Sequence, residues 1–80
     1  MKLNEAMIKR IEDLSIEHKI PIPKWSMKAG IIPSTLYNMI KKKSCPRVPT
    51  IKLLCDAIEI TLGEFFSVDY ISTAEYVEEN

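Results

Sequence analysis

The stretch Trp25–Lys43 reads WSMKAGIIPSTLYNMIKKK, and it predicts two short helices joined by a tight turn. Gly30 stands where the first helix needs a left-handed residue at its end, a conformation that glycine adopts without steric cost. Pro33 suits the first position of the second helix, where its missing N–H would have no partner within the helix. The pattern is therefore that of a helix-turn-helix whose second helix begins near Pro33.

This second helix divides into an apolar and a polar face. Leu36, Met39 and Ile40 follow the i, i+3, i+4 spacing of a buried stripe. The other positions carry hydrogen-bonding side chains and end in lysines: Ser34, Thr35, Tyr37, Asn38 and Lys41 to Lys43. Such side chains can read base edges in the major groove of DNA, with the cations placed for phosphates. An ordinary amphipathic helix with a solvated face would show the same pattern, so the pattern alone does not decide between the two.

The charges are segregated along the chain. The 80 residues carry 11 basic and 11 acidic side chains, for a net charge of zero. Residues 1–66 hold all 11 bases and seven acids (11 − 7 = +4), whereas residues 67–80 hold the other four acids and no base. This distribution is typical of a polyanion-binding body followed by an acidic tail.

The length of 80 residues predicts one small domain. With 46% hydrophobic residues and several amphipathic stretches, a compact helical fold is feasible. The two cysteines, Cys45 and Cys55, lack the spacing of zinc ligands, and no disulfide is expected between them. Cys55 falls on the apolar stripe of a later helix and is expected in the core, whereas Cys45 is expected in an exposed loop. We expect no metal and no cofactor.

Other features argue against an enzyme and against a membrane protein. The chain offers no nucleophile paired with a base, no glycine-rich phosphate loop and no metal cluster, so no small-molecule substrate is evident. It has no long apolar run and no signal-peptide pattern. We therefore expect a soluble, cytoplasmic protein.

The remaining helices are predicted from caps and apolar spacing. Asn4 is expected to cap a first helix that runs to about His18, with the inward spacing carried by Met7, Ile11 and Leu14. His18 continues this spacing but lies near the helix end, where it is expected as a capping or surface residue. Pro23 and Pro49 are expected to open the second and fourth helices. Thr61 and Glu64 form the capping-box pattern of a fifth helix, which ends at Phe66.

Two further expectations concern the single tryptophan and the tail. Trp25 is expected in the core rather than in a binding role. Ser72 and Glu75 repeat the capping-box spacing, which predicts one or two helical turns over residues 73–79. The tail's apolar side chains could dock on the domain or meet a second chain, and a frayed terminus is the default; they are Tyr70, Ile71, Tyr76 and Val77.

The runs AGIIPSTLYNMIKKK and VPTIKLLCDAIEITLGEFFS resemble the phage Cro and repressor-type (Xre-like) helix-turn-helix regulators. The resemblance covers roughly residues 7–67. It implies an all-α, five-helix, lambda-repressor-like DNA-binding domain over residues 1–66. Residues 67–80 would then be an acidic tail, with a short helix involved in dimerisation.

The resemblance implies site roles for the residues at positions that match the family. Residues placed to contact bases or the groove are Pro33, Ser34, Thr35, Tyr37 and Asn38; residues placed to contact phosphates are Lys24, Lys41, Lys42, Lys43 and Arg47. Three positions depart from the family. Ile22 replaces a glutamine that grips phosphate, Pro33 replaces a polar base reader, and Lys42 replaces the glycine that usually follows the recognition helix.

The implied function is that of a transcriptional regulator, a repressor, which binds double-stranded DNA as a homodimer. The alternative is a protein–protein interaction module, an adaptor or antitoxin-like partner, with weak or no specific DNA binding. The missing glutamine and the zero net charge support this alternative.

Overall fold

The computed structural model describes residues 1–77, which form helices and no strand. The six helices are α1 (Leu3–Glu17), α2 (Ile22–Ala29), α3 (Pro33–Lys42), α4 (Val48–Ala57), α5 (Leu62–Phe66) and α6 (Asp69–Ser72). The prediction of an all-α chain is thus confirmed. The second and fourth helices begin one residue before the expected Pro23 and Pro49, because proline is tolerated throughout a helix's first turn.

The turn between α2 and α3 follows the local rules of helix ends. Gly30 has a φ of +78°, and its N–H donates to the carbonyl of Met27 at 3.1 Å. The buried hydroxyl of Ser26 donates to the carbonyl of Ile31 at 2.8 Å and closes the turn from the inside. Pro33 is the first residue of α3, as predicted. These contacts fix the direction in which α3 leaves α2.

The end of α3 differs from a glycine-closed turn. Lys42 remains helical, and the left-handed position is occupied by Lys43, with a φ of +53°. The N–H of Lys43 donates to the carbonyl of Ile40 at 3.1 Å, and that of Ser44 donates to Met39 at 3.0 Å. The helix therefore closes one residue later than the family pattern implies, on a residue with a Cβ.

The core forms where α2 packs against both α3 and α4. Trp25 is fully buried, and its indole Nε1–H donates to the carbonyl of Leu54 at 2.9 Å. Cys55 is buried beside this pair, and burial raises the pKa of its thiol above the ordinary value. Both cysteines are free, with Cys45 exposed. The predicted locations of Trp25, Cys45 and Cys55 are confirmed.

The start of α1 was predicted wrongly. The helix begins at Leu3 with Lys2 as its N-cap, and the carboxylate of Glu5 accepts from the N–H of Lys2 at 3.2 Å. The side chain of Asn4 instead donates across the domain to the carbonyl of Lys43 at 2.6 Å. Because its side-chain amide bonds to this distant carbonyl, Asn4 does not cap α1. At the other end, His18 is the exposed C-cap of α1, as predicted for a capping or surface residue.

The predicted helix over residues 73–79 is wrong for residues 73–77, and residues 78–79 lie outside the described residues. Helical structure occurs earlier, at Asp69–Ser72. The backbone of Glu75 instead pairs with the N-terminal segment, accepting from Leu3 at 2.8 Å and donating to Met1 at 3.0 Å. These bonds need extended backbone, which excludes a helix there. The division of the chain into a domain over residues 1–66 and a tail after it stays a prediction.

The first half of the tail contacts α1. The hydroxyl of Tyr70 donates to Asp13 Oδ2 at 3.0 Å, and Lys9 Nζ lies 5.0 Å from the centroid of its ring. Ile71 packs against the core. Burial, followed by the hydrogen bond to Asp13, raises the pKa of Tyr70 above its ordinary value.

We predict that replacing Trp25→Phe lowers the free energy of unfolding by roughly 2–4 kcal/mol, since it removes buried volume and the bond to Leu54. Urea unfolding measures the change. Met27→Ala is the control, because Met27 is 70% exposed on the same helix, and it should change stability by about 0.5 kcal/mol or less. Equal effects of the two substitutions would contradict this account of the core.

We also predict a loss of stability at alkaline pH that depends on Tyr70. The folded state holds the phenol proton more tightly than the unfolded state, so its contribution is complete below the unfolded pKa of about 10 and is lost as pH rises through the folded pKa. Unfolding free energies measured from about pH 9 to pH 11 should fall more steeply for the natural chain than for Tyr70→Phe. Parallel curves would show that Tyr70 does not couple to folding.

Candidate nucleic-acid interface

The polar face of α3 lies at the surface. Ser34, Thr35 and Asn38 are exposed, and Tyr37 is 61% exposed. The opposite stripe is buried or packed against the core: Leu36, Met39 and Ile40. Packing thus fixes the rotation of α3 about its axis. The predicted amphipathic division of this helix is confirmed, and its polar residues point away from the domain.

The hydrogen-bonding groups on this face have no partners among the residues that the structure describes. Among residues 1–77, the side chains of Ser34, Thr35 and Asn38 form no hydrogen bond. A hydroxyl or an amide in this state both donates and accepts. These are the capacities needed to contact base edges in a major groove.

Cations follow directly at the end of the same helix. Lys41 and Lys42 form the last turn of α3, Lys43 is its C-cap, and Arg47 is the N-cap of α4. All four are exposed. The ion pairs formed by residues 1–77 use other cations, in Lys9–Asp13 and Lys52–Asp56. Lysines at a helix C-terminus interact favourably with the helix dipole, so these side chains also stabilise α3 itself.

The loop that carries these cations is held against α1. The bond from Asn4 to the carbonyl of Lys43 joins the first turn of α1 to the end of α3. Pro46, within the loop, is buried. The loop backbone is therefore fixed at both of these points, while its charged side chains face solvent.

Lys24 lies apart from the other cations in sequence but on a helix that packs against α3. It is exposed in the first turn of α2. Ile22, at the matched position of the family's glutamine, is half-buried and packs on the core. The start of α2 therefore offers a point charge and no side-chain amide.

Sequence patterns did not indicate an apolar groove beside this face. A groove of about 350 Å³ lies where α2 and α3 begin, and its lining residues are Glu12, Ile22, Pro23, Pro33, Tyr37 and Ile40. The groove is assembled from three helices, so periodicity within one helix cannot predict it. The one available signal is a proline at the start of each of the two helices.

The segment from α5 into the tail, Phe65–Val77, divides into buried and exposed parts. Phe65 is fully buried and Tyr70 bonds to α1. Tyr76 is 75% exposed and Val77 is also exposed. A second chain could therefore contact Tyr76 and Val77 without disturbing the core, whereas it could not contact Phe65.

Within residues 1–77, no cluster of three or more metal-ligating side chains occurs. None of the described helices has both the length and the apolarity to span a bilayer. Comparison of the chain with protein-family models, with curated proteins and with solved structures gave no match. Assignment of this surface therefore rests on its residues and their geometry.

Proposed function

We propose that the chain is a sequence-specific regulator of transcription, a repressor of the Cro/repressor (Xre-like) type, that binds double-stranded DNA. The observation that carries the proposal is the exposed polar face of α3, which has no hydrogen-bond partner among residues 1–77 and is followed directly by exposed cations. Ser34, Thr35, Tyr37 and Asn38 read the bases, with Pro33 entering the groove beside them. Phosphates are contacted by Lys24, Lys41, Lys42, Lys43 and Arg47.

The proposed fold is the five-helix, lambda-repressor-like arrangement, with α6 added. Support comes from the three-residue turn Gly30–Ile32 between α2 and α3 and from the burial of Ile11, Leu14 and Trp25 in one core. In such a pair the second helix enters the major groove. The rotation of α3 in this chain is compatible with that placement, since its free face is the polar one.

We propose that the protein binds as a homodimer on an inverted repeat. The single reading helix α3 has 10 residues and contacts only a few base pairs, so two copies about one helical turn apart increase specificity. The exposed pair Tyr76 and Val77 supplies apolar surface for the second copy. The double substitution Tyr76→Ser, Val77→Ser leaves the docked α6 intact. If this variant sediments as a dimer like the natural chain, the proposed interface is contradicted.

A second candidate function, a protein-binding module, is favoured by one observation. At the start of α2, Ile22 and Pro23 present apolar groups in place of a phosphate-gripping amide. An apolar surface of this kind also suits a protein partner. The response of binding to salt separates the two functions.

We predict that binding to duplex DNA weakens steeply with salt. Each phosphate neutralised contributes a log–log slope of about −0.9, so the five cations give roughly −4 to −5 per chain. Titration of a labelled duplex at several salt concentrations measures the slope. A slope near zero, or no binding by folded protein, would favour the protein-binding module.

We predict that two substitutions on α3 have opposite signatures. Asn38→Ala should relax preference at one base position by roughly 1–3 kcal/mol, because a base contact is lost. Lys42→Gln keeps the helix propensity of the position and should weaken binding to all DNA sequences about equally. The salt slope should fall in magnitude by about 0.9. Lys42 is the better choice for removing charge, since Lys43 holds the left-handed cap.

Both effects are measured by competition between a DNA site that the protein selects from a randomised duplex pool and variants of that site. Lys52→Gln is the matched control, since Lys52 is an exposed lysine that pairs with Asp56 on α4. It should leave preference unchanged. If Lys42→Gln changed base preference and Asn38→Ala did not, the two roles would be misassigned.

A further inference from the structure

The left-handed residue that ends α3 is held by a side chain from another helix. Lys43 has a φ of +53°, a conformation that is unfavourable for a residue with a Cβ. Its carbonyl accepts from the side-chain amide of Asn4 at 2.6 Å. Lys19 and Glu59 have similar positive φ angles, yet within residues 1–77 their carbonyls accept no hydrogen bond. Among these three turns, support from a distant side chain is therefore specific to the one after α3.

The donor of this bond is itself fixed in position. Asn4 lies half-buried in the first turn of α1. Its neighbour Leu3 packs against the core and donates its N–H to the carbonyl of Glu75 at 2.8 Å. The N–H of Glu75 donates in turn to the carbonyl of Met1 at 3.0 Å. Because the backbone before Asn4 is bonded to the tail and packed on the core, the amide is held in place for the Lys43 carbonyl.

The turn that Asn4 supports is the start of a cationic loop, residues 43–47. Lys43 and Arg47, at the two ends of this loop, are exposed and are both assigned to phosphates. A loop that is ordered only when the ligand arrives lowers the affinity, because the loss of its conformational freedom is charged to binding. A bond that orders the loop beforehand removes this cost.

We propose that Asn4 is a positioning residue for DNA binding, which holds residues 43–47 in the conformation that presents Lys43 and Arg47 to the phosphate backbone. This positioning role rests on the proposed function. Asn4 acts through the Lys43 carbonyl and adds no charge. It therefore contributes to affinity for every DNA sequence and does not contribute to base preference.

The first test compares Asn4→Ala with the natural full-length chain. Fluorescence anisotropy measures the affinity for a duplex selected from a randomised pool and for a scrambled duplex of the same composition. Asn4→Ala should weaken binding to both by the same factor, about two- to fivefold, of which the upper figure corresponds to one net hydrogen bond. The salt slope should stay unchanged, because no cation is removed.

Ile16→Ala is the matched control. Ile16 is 77% exposed on the same helix, so its truncation should leave affinity unchanged. Asn4 is not part of the hydrophobic core, and its variant is expected to fold, which circular dichroism verifies.

Two substitutions of Lys43 test whether Asn4 acts through the left-handed turn. Lys43→Gly and Lys43→Ala remove the same charge, but only glycine adopts this φ without strain. Asn4→Ala should therefore weaken binding less in the Lys43→Gly chain than in the Lys43→Ala chain. A residue that only stabilises the fold would show the same loss in both chains.

Unchanged affinity of Asn4→Ala would overturn the positioning role, and so would equal losses in the Lys43→Gly and Lys43→Ala chains. A loss confined to the selected duplex would also overturn it, since Asn4 would then affect base preference. In each of these cases sequence-specific binding by the natural chain leaves the proposed function standing. Failure of the folded natural chain to bind duplex DNA would overturn both.

Discussion

The structure depends on the buried contact between Trp25 and α4. The indole fills the space between α2 and α4, and its bond to the Leu54 carbonyl satisfies the one polar group that it buries. Because α2 is fixed by this contact and the turn at Gly30 is fixed by Ser26, α3 has one orientation relative to the core. The exposure of its polar face is a consequence of packing behind it.

Local rules predicted those parts of the fold in which a residue has one favourable conformation. Gly30 and Pro33 occupy the expected turn, and Thr61 caps α5 as its pattern indicates. The rules failed where a distant partner competes. Asn4 bonds to Lys43 rather than to its own helix, and the backbone of Glu75 pairs with the N-terminal segment rather than forming a helix. A pattern of neighbouring residues cannot predict a partner that lies far away in the sequence.

The candidate site shows the same division. The exposed face of α3 could be predicted from the spacing of Leu36, Met39 and Ile40, and the cations follow in sequence. The apolar groove could not, since its walls come from three helices whose packing no single pattern describes. Tyr37 illustrates the difference: its position in the helix assigns it to the polar face, and its neighbours in space make it part of the groove.

Selection of bound sites from a randomised duplex pool tests the proposal that the free face of α3 reads duplex DNA. The full chain, confirmed as folded, is incubated with the pool at moderate salt, and the retained sequences are determined. If α3 reads DNA, an inverted repeat with half-sites about one helical turn apart will be enriched. A retained pool without any enriched sequence, or no retention, would contradict this role of α3.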